Sequence, residues 1–305
     1  MKKHLYILIL ILFNSVIAWT QTYSLEYDLK QGDQYFTEFL SEITINQTVM
    51  GIEQEIGMKM EADFSQLVNK ILPDSHYELM TEYTGLYMQI SSTFFSVEID
   101  TDSKIQDDLL NNMMRRILNK PLNLVISKKG ELKEISGIES LMNGLFEGSE
   151  IDENQMEHIR QLLQKNMGEE SLRQNFSQFF CNYPEKQVRL GETWKVNYQI
   201  EQAEIAFGFS GTGKLVEATP RTFLVRIEGK LNTTHLMDNA DKEQSFLMDG
   251  SLVSEFTIDR KTGWPLKSTT NQEISGLLVI NTPGEETDTI QIPMQMKMRM
   301  NIKSK

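Results

Sequence analysis

Six methionines are the residues whose placement most invites a chemical reading. Met58 and Met60 stand two apart, and Met294, Met296, Met298 and Met300 continue the same spacing near the C-terminus. Thioether sulfur is a soft ligand suited to Cu(I). It is also polarisable and carried on an unbranched chain that adapts its shape, which suits an apolar surface. A Cu(I) site needs sulfurs that converge on one point. Residues two apart on a strand project in a line instead, at steps of about 7 Å. The stripe is therefore read as a core face or as the lining for a lipid or other apolar ligand, with no metal and no cofactor expected.

Other chemistries find no constellation. Cys181 is the single cysteine and follows Phe179-Phe180, so it is read as a buried small hydrophobe. The histidines are His4, His76, His158 and His235, isolated from one another and from any Cys-x-x-Cys, so no zinc ligand set forms. Glu157-His158 reads as part of a solvated helix face. Asp100-x-Asp102 lacks the glycine and closing glutamate of a calcium loop. The acidic stretch Asp238–Glu243 reads as a hairpin tip. Gly208-Phe209-Ser210-Gly211-Thr212-Gly213 lacks the Lys-Ser/Thr ending of a phosphate loop and the spacing of a nucleophile elbow, so it is expected to be a glycine-rich bend. No catalytic residue is assigned.

The composition narrows the setting. Lys2 and Lys3 precede an apolar run from Leu5 to Ala18, the pattern of a secretory signal cleaved after Ala18 or Thr20. The run is short of the ~20 residues a spanning helix needs, and no later stretch is apolar enough. The mature chain is expected to be periplasmic or secreted, with no transmembrane segment. The 305-residue chain has 30 basic and 43 acidic residues and a net charge of −13. That balance steers it away from nucleic acid.

The elements that must position the methionines are strands. Strand patterning, mostly period-2 alternation, runs through Tyr23–Leu29, Phe39–Val49, Ile56–Phe64, Tyr77–Ile90 and Phe94–Ile99, and again in successive runs from Thr193 to Lys303. Helical spacing appears near 103–119, over Ile138–Phe146, Asp152–Met167 and Ser171–Phe180. The expected organisation is a signal peptide over 1–20, an N-terminal strand-rich half over 21–137, a helical insert over 138–184 and a C-terminal strand-rich half over 185–305. Each half opens on one phrase: Leu29-Lys30-Gln31-Gly32-Asp33-Gln34-Tyr35, then Val188-Arg189-Leu190-Gly191-Glu192-Thr193-Trp194. Tyr35 and Trp194 are expected to be largely buried at equivalent places. A second phrase pairs Val125–Leu132 with Phe256–Trp264. Pro293 is expected at a sheet edge or a bulge, since it cannot donate to a ladder. The expected fold is α+β, with large curved antiparallel sheets or half-barrels, one or two in number.

The signal peptide, the phrase Leu29–Tyr35, the hairpin Val125–Gly137, Pro184 with Val188–Trp194, and Asp259-Arg260-Lys261-Thr262-Gly263 together resemble a family of uncharacterised exported proteins from Bacteroidota. That family implies no activity and no catalytic residues. The architecture is similar, more distantly, to the half-barrel lipid carriers of the bacterial envelope, LolA and LppX among them. Those fold a curved sheet over helices around acyl chains. The expectation is a non-enzymatic exported protein that binds a lipid or other apolar small molecule along Met58, Met60, Met294, Met296, Met298 and Met300. The alternative is an envelope structural or interaction module that binds a partner protein and no small molecule. An enzyme, a hydrolase, ranks last.

Overall fold

The structure, a computed structural model, describes residues 21–104, 109–146, 168–202, 205–235, 244–281 and 289–305. The signal-like segment 1–20, the expected helix over 152–167 with His158, and the acidic stretch 238–243 lie outside the described residues.

Alternation produces long strands. In the N-terminal half these are β1 (Thr22–Tyr23), β2 (Gln34–Val49), β3 (Ile52–Ile71), β4 (Tyr77–Ser92), β5 (Ser96–Asp100), β6 (Leu122–Ile126) and β7 (Leu132–Ser136). The C-terminal half contributes β8 (Val188–Arg189), β9 (Thr193–Gln202), β10 (Ile205–Ala218), β11 (Thr222–His235), β12 (Gln244–Asp259), β13 (Pro265–Asn281) and β14 (Thr289–Ser304). Among the described residues the helices are short: α1 (Leu109–Arg115), α2 (Ile138–Phe146) and α3 (Glu169–Ser177).

β1 pairs with β8, and everything else joins one antiparallel sheet of 12 strands. Its order is β7-β6-β4-β3-β2-β14-β13-β12-β11-β10-β9, with β5 also on β4. The two halves are thus one sheet, because the last strand, β14, lies beside the first long one, β2. This corrects the expected α+β class: the protein is mostly antiparallel β, with few helices. The sheet is open, since β7 and β9 do not pair with each other. It is nevertheless strongly curved. Eleven strands at ~4.8 Å spacing would hold the edges of a flat sheet nearly ~50 Å apart. Both edges instead touch α3, a helix only ~10 Å across.

One face of the sheet is apolar. The row Leu86–Ala62–Phe39–Ile302–Ser268–Phe256–Val225–Leu215 follows register partners across β4, β3, β2, β14, β13, β12, β11 and β10. The α3 region covers this inner face. Phe176 packs edge-on to Phe64, and Phe179 stacks on Phe39 at 5.2 Å. Pro293 sits where expected in a local sense: β14 pairs with β2 only from Met294 onward, so Pro293 has a partner on the β13 side alone.

The Gly208–Gly213 stretch is strand, not bend, and lies within β10. The glycines clear room for rings. A Cβ on Gly213 would overlap the Trp194 indole, and one on Gly211 would meet the Phe209 ring and the β11 backbone.

The repeated phrase folds the same way twice. Gly32 N–H donates to the Val68 carbonyl at 2.9 Å, and Gly191 N–H to the Leu215 carbonyl at 2.8 Å. Asp33 accepts from Lys30 N–H at 2.9 Å, and Glu192 from Arg189 N–H at 2.8 Å. Both glycines have positive φ, 92° and 81°. The second phrase also recurs as a turn, at Gly130 (φ 84°) and Gly263 (φ 70°).

These two later turns grip the segment that precedes β2. Tyr27 N–H donates to the Lys128 carbonyl at 2.9 Å, and Asp28 N–H to the Thr262 carbonyl at 2.8 Å. Tyr27 is 0% exposed. Its carbonyl accepts from the Tyr77 hydroxyl at 2.9 Å, and its hydroxyl accepts from Cys181 N–H at 3.1 Å. Tyr183 N–H donates to the Lys129 carbonyl at 2.9 Å, and the Tyr183 hydroxyl to the Gly263 carbonyl at 2.6 Å. One knot therefore ties the N-terminal segment, both turns and the chain after α3.

The four turn glycines separate by surroundings. A Cβ on Gly263 would overlap the Glu26 carbonyl, and one on Gly130 the Cys181 carbonyl, whereas Gly32 and Gly191 face open space. Gly191→Ala is expected to cost about 1–2 kcal/mol, the left-handed backbone penalty alone. Gly263→Ala is expected to cost clearly more, because the Glu26–Tyr27 backbone must also shift. Urea unfolding of both variants checks the order, and equal losses would contradict it.

Candidate functional site

The six methionines share the inner face. Met58 faces Ile43, which faces Met298; Met60 faces Ser41, which faces Met300. Since β2 lies between β3 and β14, the two methionine groups stand two strand spacings apart, about 10 Å. Met294 and Met296 continue the stripe along β14, opposite Gln47 and Ile45. No sulfurs converge, and among the described residues no group of His, Cys, Asp or Glu could hold a metal ion.

Burial along this face is graded. Met300 is 3% exposed and Met298 8%, both close to the helix-covered rows. Met58, Met60, Met294 and Met296 are only half-buried, as are Ile43, Ile45, Ile56, Met88 and Ile90 around them. The cause is positional. The α3 region and the Tyr27 knot fill the concavity at the end where β2 begins. Toward the β2–β3 tip at Met50-Gly51, the inner face of β2, β3 and β4 stays half-open, whereas Ile274, Met248 and Ile292 on β13, β12 and β14 are 2%, 4% and 6% exposed. The apolar side chains there form an uncharged, half-open lining. At the rim, Phe94 and Phe95 of the β4–β5 turn are 73% and 52% exposed.

The stripe was legible because methionine repeats every second residue. The isoleucines that interleave with it were legible only as strand residues, since register across β2 is what brings Ile43 and Ile45 between the two methionine groups. Trp194 and Tyr198 join the same face from β9, and Tyr198 stacks on Phe209 at 4.6 Å. Tyr35 and Trp194 are half-buried rather than largely buried, a correction with a clear origin. Each sits just after its turn, where the strand has barely entered the sheet. Their partners differ too: Tyr35 stacks on Trp264 at 3.9 Å, and Trp194 lies over Gly213.

The titratable groups of the interior are held neutral. Burial pushes the Tyr27 and Tyr183 hydroxyls well above their usual range, and burial with the nearby Asp33 carboxylate pushes Tyr35 up to about 12. Cys181 is fully buried, and burial raises its thiol as well. A thiol so placed has little thiolate and no route to a substrate. His76 pairs with Asp74 at 2.8 Å on the surface. The side chains of Asp100 and Asn111 tie the start of the α1 region by accepting backbone N–H bonds at 2.9 and 2.7 Å. Among the described residues, no helix is long and apolar enough to cross a membrane.

Because these phenols are neutral when folded, ionisation favours the unfolded chain. Stability is fully present below the unfolded tyrosine value near ~10 and falls as pH rises past it toward the folded values. Urea midpoints are expected to be level between pH 7 and 8, to slip slightly as the unfolded thiol begins to ionise near ~8.5, and to drop steeply above pH 10. The Cys181 thiol is expected to react with a disulfide reagent only after unfolding. Rapid labelling of the native protein would contradict its burial.

Comparisons place the chain only broadly. A structure describing lipid–protein interactions in lipovitellin aligns over 91% of this chain at 7% identity and a TM-score of 0.47, and this chain spans 25% of that one. Pseudomonas aeruginosa OccK5 (OpdH) aligns over 90% of this chain and 98% of its own at 8% identity and TM-score 0.19. A DUF1329 family protein from Desulfovibrio piger aligns over 87% and 85% at 8% identity and TM-score 0.12. These scores are too low to carry an argument about fold or ligand. No curated protein matches the chain in sequence. A family model does match, over residues 74–265, from within the turn before β4 to the first residue of β13, and the chain belongs to that family, a family of unknown function (DUF6263).

Proposed function

We propose that the protein is a non-enzymatic, exported binder of a lipid or similar apolar ligand, held against the inner face of its curved sheet at the end away from the Tyr27 knot. One observation carries the reading: Met58, Met60, Met294, Met296, Ile43, Ile45 and Ile56 lie together on one face and stay half-exposed, while the neighbouring rows are buried. Leaving so many large apolar groups in contact with water is unfavourable at roughly 25 cal/mol per Å². A contiguous apolar surface of this kind marks a binding site more often than a bare solvent face. The uncharged character of the lining suits an acyl chain, and methionine lets it adapt to chains of different shape. Export rests on the sequence pattern of residues 1–20.

A second reading, an envelope module that docks a partner protein, draws on the exposed Phe94 and Phe95 at the rim. The two readings part on which residues matter.

Titration of the uncharged fluorophore N-phenyl-1-naphthylamine into the mature chain tests the proposal. Saturable binding is expected. Ile45→Lys and Met296→Lys, which put a charge on the lining, are expected to weaken it tenfold or more. Asn46→Lys and Gln295→Lys, paired on the outer face, are expected to leave it unchanged. Equal effects from inner and outer substitutions would overturn the proposal. Loss of fluorophore binding only on Phe94→Ser and Phe95→Ser would favour the docking module.

A further inference from the structure

The inner face carries a polar strip that an acyl-chain lining does not need. Ser268, Thr270 and Gln272 on β13 and Ser254 on β12 are all buried there, Ser268 at 1% and Gln272 at 4% exposure. The Ser254 and Thr270 hydroxyls satisfy each other at 2.8 Å. Among the described residues, the Ser268 hydroxyl has no hydrogen-bond partner, nor has the Trp194 indole N–H. Gln272 makes no side-chain hydrogen bond among the described residues. A buried donor or acceptor left unpaired costs free energy, and such groups are rare enough to need an explanation.

Register fixes where the strip lies. Ser268 faces Ile302 in the last helix-covered row. Thr270 faces Met300, and Gln272 faces Met298. The next inner residue, Ile274, is buried and faces the half-buried Met296. Trp194 comes to the Thr270 row from the far edge, through Gly213, Ile227 and Ser254. The strip is thus the floor of the half-open concavity, with the methionine stripe rising from it. From the Ser268 row to the tip, no inner-facing position on β2, β3, β12, β13 or β14 is Asp, Glu, Lys or Arg.

We infer that the ligand is an uncharged single-chain amphiphile, whose hydroxyl, amide or ester group bonds Gln272 while its chain runs along Met298, Met296 and Ile45 toward the tip. This deepens the proposed function and rests on it. Gln272 supplies both a donor and an acceptor, so it matches a neutral polar group. A carboxylate, phosphate or ammonium would be taken out of water with no counter-charge on this face, which disfavours it.

The test uses the mature chain and three probes of equal chain length: 1-dodecanol, n-dodecane and dodecanoate at pH 8, followed by tryptophan fluorescence and native mass spectrometry. Dodecanol is expected to bind at least tenfold more tightly than either of the others, a difference of about 1.4 kcal/mol. Gln272→Leu is expected to erase the preference for alcohol over alkane while dodecane affinity persists, which also shows that the variant is folded. Gln272→Met is expected to do the same and carries the test if Gln272→Leu does not fold, while Ser268→Ala, about 13 Å away along β13, is expected to leave the preference in place. Equal binding of alcohol and alkane, or a preference untouched by both Gln272 substitutions, would overturn the inference and leave the strip to bound water. Tightest binding of dodecanoate would overturn it in favour of a charged headgroup. Binding of none of the three would overturn the apolar-ligand reading itself.

Discussion

The rest of the structure depends on how one buried tyrosine is held. Tyr27 has no strand of its own in the large sheet, yet its backbone and hydroxyl bond the turn at Lys128, the Tyr77 hydroxyl and Cys181 N–H, while the adjacent Asp28 N–H bonds the turn at Thr262. Those turns belong to opposite halves of the chain. A 12-stranded sheet joined only through β2 and β14 could flatten or splay. With its two hairpin turns fastened to the same residue pair, and its edges touching one helix, it is fixed as a deep curve. Hydrogen bonds in such a dry cluster gain from the low local dielectric, and every partner must be present for the cluster to be favourable.

Filling one end of the curve determines what happens at the other. The aromatic groups of Phe176, Phe179 and Phe180 and the side chains of Tyr27, Tyr183 and Trp264 pack together at the knot. There the inner face is solid core. The long strands run on past this plug, with β3 reaching from Ile71 back to Ile52. Their inner residues keep the same apolar alternation after the covering elements have ended. The half-open lining lies where β2, β3 and β4 run past the plug, while Ile274 and Met248 across the sheet stay buried. It requires no special residue type, which is why no catalytic motif accompanies it.

Much of this was legible in the sequence. Period-2 alternation named the strands because a sheet with one wet face must alternate, and β14 could be read residue by residue from Ile290 to Lys303. The repeated Gly-acid-x-aromatic phrase was read as the start of each half, and its two copies form the same hydrogen bonds. What failed did so for a common reason: it depended on contacts distant in sequence. Gly208–Gly213 was expected to bend because glycine breaks strands in isolation, but here the missing side chains make space for the rings of Trp194 and Phe209. The described helices overlap the stretches read as helical, but the α+β class gave them too much weight, because local periodicity says nothing of how large a sheet the flanking strands will build together. The polar strip was visible as Ser268, Thr270 and Gln272 on what should be an apolar face. It gained meaning only when register set it beneath Met298 and Met300.

A ligand on the upper inner face leaves the knot untouched. Amide hydrogen exchange with and without saturating 1-dodecanol examines that division directly. Added protection is predicted along β2, β3, β13 and β14 near Ile45, Met58, Gln272 and Met296, with no change around Tyr27, Lys128 and Gly263. Protection centred on the knot, or spread evenly over all strands, would contradict it.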